Sequence, residues 1–442
     1  MRTRQLILLA ALALLAAPSG AAAAWGPVQD LGPLGAGARF AYDGNAAGDR
    51  ILVWDAGSGF VFARARPGEA LGPPRALPDD PRHVEFAPTV ELDERGNALL
   101  VWTYHDATAY VEDRGGQGYD CCNGLRARVI RADGSVTAAR TLAPHGHVVT
   151  LADMQIGPGD RVGVVFHVRE DFEPVRTMEA RLGTVARGLG GREPITRAPV
   201  DAPASLAFVR GRARLTYATS TGFGYDNEPV VFREVERVER GRYRRLRSPG
   251  NGELVRSSIR FATAPSGEQA VTWLSVVGRT NAVHAGTRRP GEPLVAHHLA
   301  AASASPHAPV AIEPRGTALA AWASARPAGV LASLRRSPFG FRLPTAMSAY
   351  DDPPRLDAPA VDVNTRGHGL LAWAERPPSR PPRLVGVFRN ARGTPLEHHV
   401  IEPSGGPFAF AQVAASLDRD GRGYVAYATG DTLRVIAARI GG

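Results

Sequence analysis

Lysine is absent from this 442-residue chain; all 52 of its basic side chains are arginine. A guanidinium stays protonated and cannot act as the amine of a Schiff base. The phosphate-binding P-loop, which needs a lysine, is excluded by the same absence. Cysteine is almost missing: Cys121 and Cys122 are the only two, and they are adjacent. One such pair supplies neither a multi-bridge framework nor a four-cysteine zinc site. No Gly-x-Ser-x-Gly elbow occurs, so no Ser/His/Asp triad is indicated. Sustained helical periodicity is lacking beyond the first two dozen residues, which points to an all-β class.

The one long apolar run lies at the N-terminus. Arg2 and Arg4 precede Leu6 to Ala17, and Ala22-Ala23-Ala24 forms a small-residue cleavage site before Trp25. This order reads as a secretory signal over 1–24, with a mature chain of 25–442. The run is short for a membrane span, and no cysteine stands near the cleavage site to carry a lipid. The expected location is therefore secreted, with no membrane association after cleavage; an uncleaved anchor is the alternative. Removing Arg2 and Arg4 lowers the formal charge from +9 to +7 (50 basic minus 43 acidic). An excess of that size in an Ala/Gly/Pro-rich chain is weak evidence for an anionic partner, and nucleic acid is not expected.

What the sequence does contain is a repeat. Eight times a glycine is followed, six residues later, by a large side chain closing an apolar run. The pairs are Gly48/Trp54, Gly96/Trp102, Gly159/Val165, Gly211/Tyr217, Gly267/Trp273, Gly316/Trp322, Gly367/Trp373 and Gly421/Tyr427. Five of the six tryptophans occupy this position, and the period of about fifty residues is that of a propeller or solenoid array. Each unit reads as four strands. In the second, Pro88 to Leu92 alternates, Gly96 sits in a turn, and Ala98 to Tyr104 is nearly all apolar. Leu125 to Arg131 and Thr137 to Leu142 complete it around an Asp133-Gly134 turn. An apolar run without alternation implies a strand covered on both faces, as between neighbouring blades.

The eighth unit stops after three strands, and one spare strand, Trp25 to Leu31, precedes the first. The expectation is an eight-bladed β-propeller of four-stranded antiparallel blades, closed by the N-terminal strand completing the last blade. Closure removes the exposed edges of an open solenoid. Over about 25–442 the chain resembles β-propeller repeats, and Asp93 to Trp102 is most similar to NHL-type and WD40-like bacterial repeats. The recurrent Gly-His and Trp-Asp signature of WD40 is missing, and the sialidase Asp-box has a closer Gly–Trp spacing. The resemblance therefore implies the fold and no functional residues.

Function is expected where the repeat is interrupted. Between second and third strands, blade 2 inserts about His105 to Gly124, blade 3 about Arg169 to Pro174, and blade 4 about Ser220 to Pro229. Long loops on a rigid scaffold carry binding residues. Two of them share Gly-Tyr-Asp: Tyr119-Asp120 and Tyr225-Asp226 offer aromatic faces and carboxylates to a glycan or a Ca²⁺ ion, or serve only as a common turn. His105, Asp106, His147 and His167, with His83 and His145 nearby, are candidate ligands for Zn²⁺ or Mn²⁺. Metal-histidine sites occur in lyases built on propellers, an analogy of fold alone.

Cys121 and Cys122 are an expected vicinal disulfide in an exported chain; free or intermolecular thiols are the alternative. Such a pair resembles the vicinal bridge of the eight-bladed quinoprotein alcohol dehydrogenases, whose tryptophan-docking motifs are missing here. The arginine-rich run from Arg233 to Arg247 reads as a solvated outer edge. These features point to a secreted, monomeric binding or scaffold module for an extracellular ligand or protein. A metal-assisted lyase or hydrolase acting on a polysaccharide is the alternative.

Overall fold

The structure is a computed structural model. It describes residues 23–440 apart from loop stretches, chiefly 79–87, 106–109, 113–117, 121–122, 144–147, 170–175, 197–202, 221–229, 247–249, 304–307, 349–354, 377–380 and 404–411, and a few shorter ones. The chain folds as an eight-bladed β-propeller. Blade 1 has the strands Phe40–Gly44, Arg50–Asp55, Phe60–Ala65 and Arg75–Ala76, paired antiparallel in that order from the channel outwards. The innermost strands of successive blades touch one another around the whole ring, including blade 8 against blade 1.

The repeated glycine makes the turn between first and second strands. All eight anchors have positive φ, between 73° at Gly159 and 98° at Gly48, a region other residues avoid. In blade 2 the turn is held by Asp93, whose Oδ1 accepts from the N–H groups of Arg95 (2.9 Å) and Asn97 (2.7 Å). Asn45, Asn364 and Asp418 cap their turns in the same way. The second strands that follow are buried on both faces, as the unalternating sequence requires. Trp54, Trp102, Trp322 and Trp373 are among the largest fully buried side chains.

The hydrophobic core is divided into eight clusters, and each one joins two neighbouring blades. Leu99, Val101 and Leu125 of blade 2 meet Met154, Val164 and Phe166 of blade 3, for example. The eighth interface, between blades 8 and 1, packs Ala426 and Val435 against Phe40, Leu52 and Trp54. An open array of eight blades has only seven interfaces, so the packing itself closes the ring. Burying a large apolar side chain contributes about 1.5–3 kcal/mol. Stability is thus spread over interfaces, not gathered in one core.

The N-terminal strand Ala23–Pro33 runs antiparallel to the last strand, Thr432–Ile440, as the fourth strand of blade 8. Trp25 stacks on His399 at 5.0 Å and leans on Phe388 at 5.6 Å, tying this strand to blade 7. Ala23 and Ala24, assigned by sequence to the leader, already pair with Ile440 and Arg439.

Two details differ from the sequence reading. The fourth strand of blade 2 is Arg140–Ala143, shorter than expected. Thr137 takes the Val129 N–H on its hydroxyl (2.9 Å), interrupting the regular ladder there. The run from Arg233 to Arg247 is solvated over its outer part, from Val238 to Arg245, but Glu234 and Glu236 on its inner strand are buried. Glu236 is ringed by Arg212, Arg214 and Arg244, and Glu234 pairs with buried Arg288 of blade 5 at 2.9 Å.

Candidate functional site

The face predicted to bind ligand carries the connections between second and third strands. These are minimal in blades 5, 6 and 8, where Val277, Ala325 and Thr429 pair directly with Thr280, Ala328 and Thr432. Blade 2 is different. Between its second strand, Ala98–His105, and its third, Asn123–Ile130, rises a hairpin of Tyr110–Glu112 and Gly118–Asp120. Among the described residues the hairpin is a two-stranded sheet of its own and pairs with no blade strand. Tyr119 and Asp120 lie on it, opposite Val111 and Tyr110.

His105 ends the second strand opposite Asn123, at the base of that insertion. Asp106, Cys121, Cys122, His147, Tyr225 and Asp226 lie outside the described residues, as do His83 and His145. His167 sits within the second strand of blade 3, between Thr150 and Met178 in register, and is 5% exposed. Its ring is buried in the blade. Among the described residues no three His, Cys, Asp or Glu side chains converge as a metal site.

The opposite mouth of the channel holds an arrangement that the sequence reading missed. Asp43, Glu91, Asp153 and Asp362 project from the innermost strands of blades 1, 2, 3 and 7. The three aspartates follow one rule: Asp43 Oδ2 accepts from the Leu92 N–H (2.7 Å), Asp153 Oδ2 from the Leu206 N–H (2.6 Å), and Asp362 Oδ2 from the Leu417 N–H (2.6 Å). Glu91 bonds the Ile156 backbone likewise. Each carboxylate clips its blade to the next one round the ring. A hydrogen bond to a charged group contributes roughly 1.5–3 kcal/mol.

Burial pushes Asp43, Asp153 and Asp362 up to about 7, against the opposing pull of their backbone N–H donors. Glu91 is raised well above the carboxylate range, by burial first and then by the charges of Asp43 and Asp153. The four therefore form one arc of acids in which each is within electrostatic reach of the next: Asp362 of Asp43, Asp43 of Glu91, and Glu91 of Asp153. Their side chains are half-buried, on the innermost strands where solvation is poor, and Asp43, Glu91 and Asp362 line cavities at the channel mouth. At the matching positions on blades 6 and 8 stand Ala311 and Ser416, and Ser416 bonds the Tyr42 hydroxyl at 2.6 Å. A sequence signal for the arc existed. Asp43, Glu91 and Asp362 each stand two residues before the turn-capping Asn45, Asp93 or Asn364, on the channel side of a strand whose period is two.

Two cavities of about 240 Å³ each adjoin at this mouth and share Glu91, Leu92, Glu94 and Pro265 in their walls. One extends past Gln155 towards Thr263, the other past Asp43 towards Asp362. Arg419 stands at the rim of the second. Arg95 stands at the rim of the first, paired with Asp160 at 2.7 Å.

No protein-family model matches the sequence, and no curated protein matches it. Among solved structures the fold is similar to the BP39L lectin from Burkholderia pseudomallei, at 15% identity and a TM-score of 0.46, over 78% of this chain and 93% of the lectin. It is also similar to the polysaccharide lyase Uly1, at 10% identity and 0.45, over 93% and 90% of the two chains. A third likeness is to the β-propeller domain of the Trilobed protease from Pyrococcus furiosus, at 9% identity and 0.45, over 80% and 96%. These are likenesses of propeller architecture, and no functional residue is carried from them.

Proposed function

We propose that this protein is an exported binding propeller that recognises an extracellular ligand on the face carrying the long loops of blades 2–4. One observation carries the reading: blade 2 adds a separate hairpin to a ring whose blades are complete without it. Two-residue connections satisfy the same junction in blades 5, 6 and 8, so packing and hydrogen bonding do not require the insertion. A rigid ring presenting an added element is the usual basis of a binding surface. Tyr119 and Asp120 supply an aromatic face and an acceptor, chemistry suited to a glycan or a polar small molecule. Tyr225 and Asp226 repeat the pair on blade 4, and a Cys121–Cys122 bridge would fix the base of the hairpin. The protein acts as a monomer in this reading and is not catalytic.

A glycan and small-molecule array with the wild-type chain tests it, followed by Tyr119→Ala and Asp120→Ala. The expected result is a ligand whose binding falls at least tenfold in either variant while the melting temperature stays unchanged. A ligand bound equally by both variants would place recognition elsewhere. Stoichiometric Zn²⁺ or Mn²⁺, lost in His105→Ala and His147→Ala, would replace this reading with a metal-assisted lyase or hydrolase acting on a polysaccharide.

A further inference from the structure

The channel mouth opposite that face combines an arc of carboxylates with one unfilled acceptor. Gln155, on the innermost strand of blade 3, is 6% exposed and borders the same cavity as Glu91. Its Nε2 donates to the Thr263 carbonyl on blade 5 at 3.4 Å, while its buried Oε1 has no partner among the described residues. Flipping the amide would set Oε1 against that carbonyl, so the acceptor faces away from Thr263. A buried acceptor without a donor costs about 1–3 kcal/mol. Carboxylates and an amide oxygen are all acceptors, and what they lack is a positively charged donor.

We infer that this mouth binds a small linear organic polycation, an aliphatic di- or polyamine, along the arc from Asp362 through Asp43 and Glu91 to Gln155. The shape of the site selects this class over a metal ion. The acids are spread over four blades and no three of them converge on one point, so a single ion lacks a chelating set. A chain with several ammonium groups spaced by methylenes meets them in turn. Its N–H donors also satisfy Gln155 Oε1, which a carboxylate arc alone leaves unexplained. Each adjoining cavity, at about 240 Å³, has room for several heavy atoms of such a chain. The other charged groups lining the two cavities are Glu94 at the shared wall, the turn-capping Asp93 and Glu313, whose carboxylates accept from their own turns, and Arg95, Asp160 and Arg419 at the rims. Arg95 is neutralised by Asp160.

The test is calorimetric titration of the full chain with spermidine at pH 8 in fixed salt. Saturable binding is expected, weakened at least tenfold in Glu91→Gln and in Gln155→Leu, and weakened likewise at pH 5.5. Glu91→Gln keeps an acceptor for the Ile156 N–H, and circular dichroism reports whether each variant folds. Glu94→Gln, an exposed turn position, is the variant that cannot harm the fold; a two- to threefold loss is expected there. Putrescine should bind more weakly than spermidine, because it reaches fewer carboxylates. Absence of saturable heat in the wild type would overturn the inference. So would binding unchanged in both Glu91→Gln and Glu94→Gln, or spermidine displaced stoichiometrically by millimolar Ca²⁺.

Discussion

Raising the pH from 5 to 8 should destabilise this propeller, and replacing single channel carboxylates should flatten the slope. Asp43, Asp153 and Asp362 go from 3.8 to about 7 on folding, so between those values the folded state holds more protons than the unfolded one. Stability therefore falls as pH rises: the contribution is whole below about pH 4 and is lost as pH passes through about 7. A shift of about three units corresponds to a ceiling on the order of 4 kcal/mol per group. The local slope is at most about 1.4 kcal/mol per pH unit for each group. Asp43→Asn keeps one acceptor of the clip and loses the other, a cost of about 1 kcal/mol independent of pH. It also removes one titrating group. Unfolding in urea at pH 5, 6, 7 and 8 should thus give the variant a slope shallower by up to about 1.4 kcal/mol per unit. His284 and His368, both held below the usual imidazole range, act in the opposite direction. They are common to both proteins and cancel in the difference. Parallel slopes for wild type and Asp43→Asn would refute the account of a poorly solvated carboxylate arc.

Other consequences are accessible to simple measurements. Trp373→Ala, at a fully buried anchor between blades 6 and 7, should cost about 3–5 kcal/mol in the same assay. Glu234→Ala leaves Arg288 buried without its carboxylate and should cost about 3–5 kcal/mol, most of it regained in the double variant Glu234→Leu/Arg288→Met. Deleting residues 23–33 uncovers the edge of Thr432–Ile440 and should lower the melting temperature and produce larger species in size-exclusion chromatography. Intact mass with thiol alkylation should show Cys121 and Cys122 unlabelled until reductant is added; two labelled cysteines without reductant would refute the bridge.

The sequence reveals most of the architecture because the repeat encodes it locally. A glycine forced to positive φ, an apolar run and a buried tryptophan specify one turn and one sandwiched strand, and eight copies leave little choice of fold. The incomplete eighth unit and the spare N-terminal strand likewise predict their own pairing. The end of blade 2 was less legible, because Thr137 substitutes a hydroxyl for a backbone acceptor and no propensity signals that. Partners across blades were legible least. Glu234 and Glu236 look like surface charge in a run of arginines, and only the approach of Arg288, Arg212 and Arg214 from other strands buries them. The channel acids escaped for a related reason: an acid on alternate positions of a strand suggests solvent, and here the solvent side of the strand is a narrow channel.

Those two hidden sets of charges join blades in different ways and overlap at the 3–4 and 7–8 interfaces. Carboxylate clips join blades 7 to 8, 1 to 2, 2 to 3 and 3 to 4 from inside the channel. Arginine–glutamate pairs join blades 3 to 4, 4 to 5, 5 to 6 and 7 to 8 through Glu193–Arg237, Glu234–Arg288, Glu268–Arg335 and Glu402–Arg434. The second set compensates its charge and the first does not. Joining blades does not by itself require a charge, as the bond between the Tyr42 and Ser416 hydroxyls shows at the closing interface. Four uncompensated acids on blades 7, 1, 2 and 3, gathered at one mouth, cost stability that the paired charges avoid. That cost is recovered when a cation occupies the arc, which is why the pH slope and spermidine binding should be coupled: saturating spermidine should abolish most of the stability lost between pH 6 and 8 in the wild type, and little of it in Glu91→Gln.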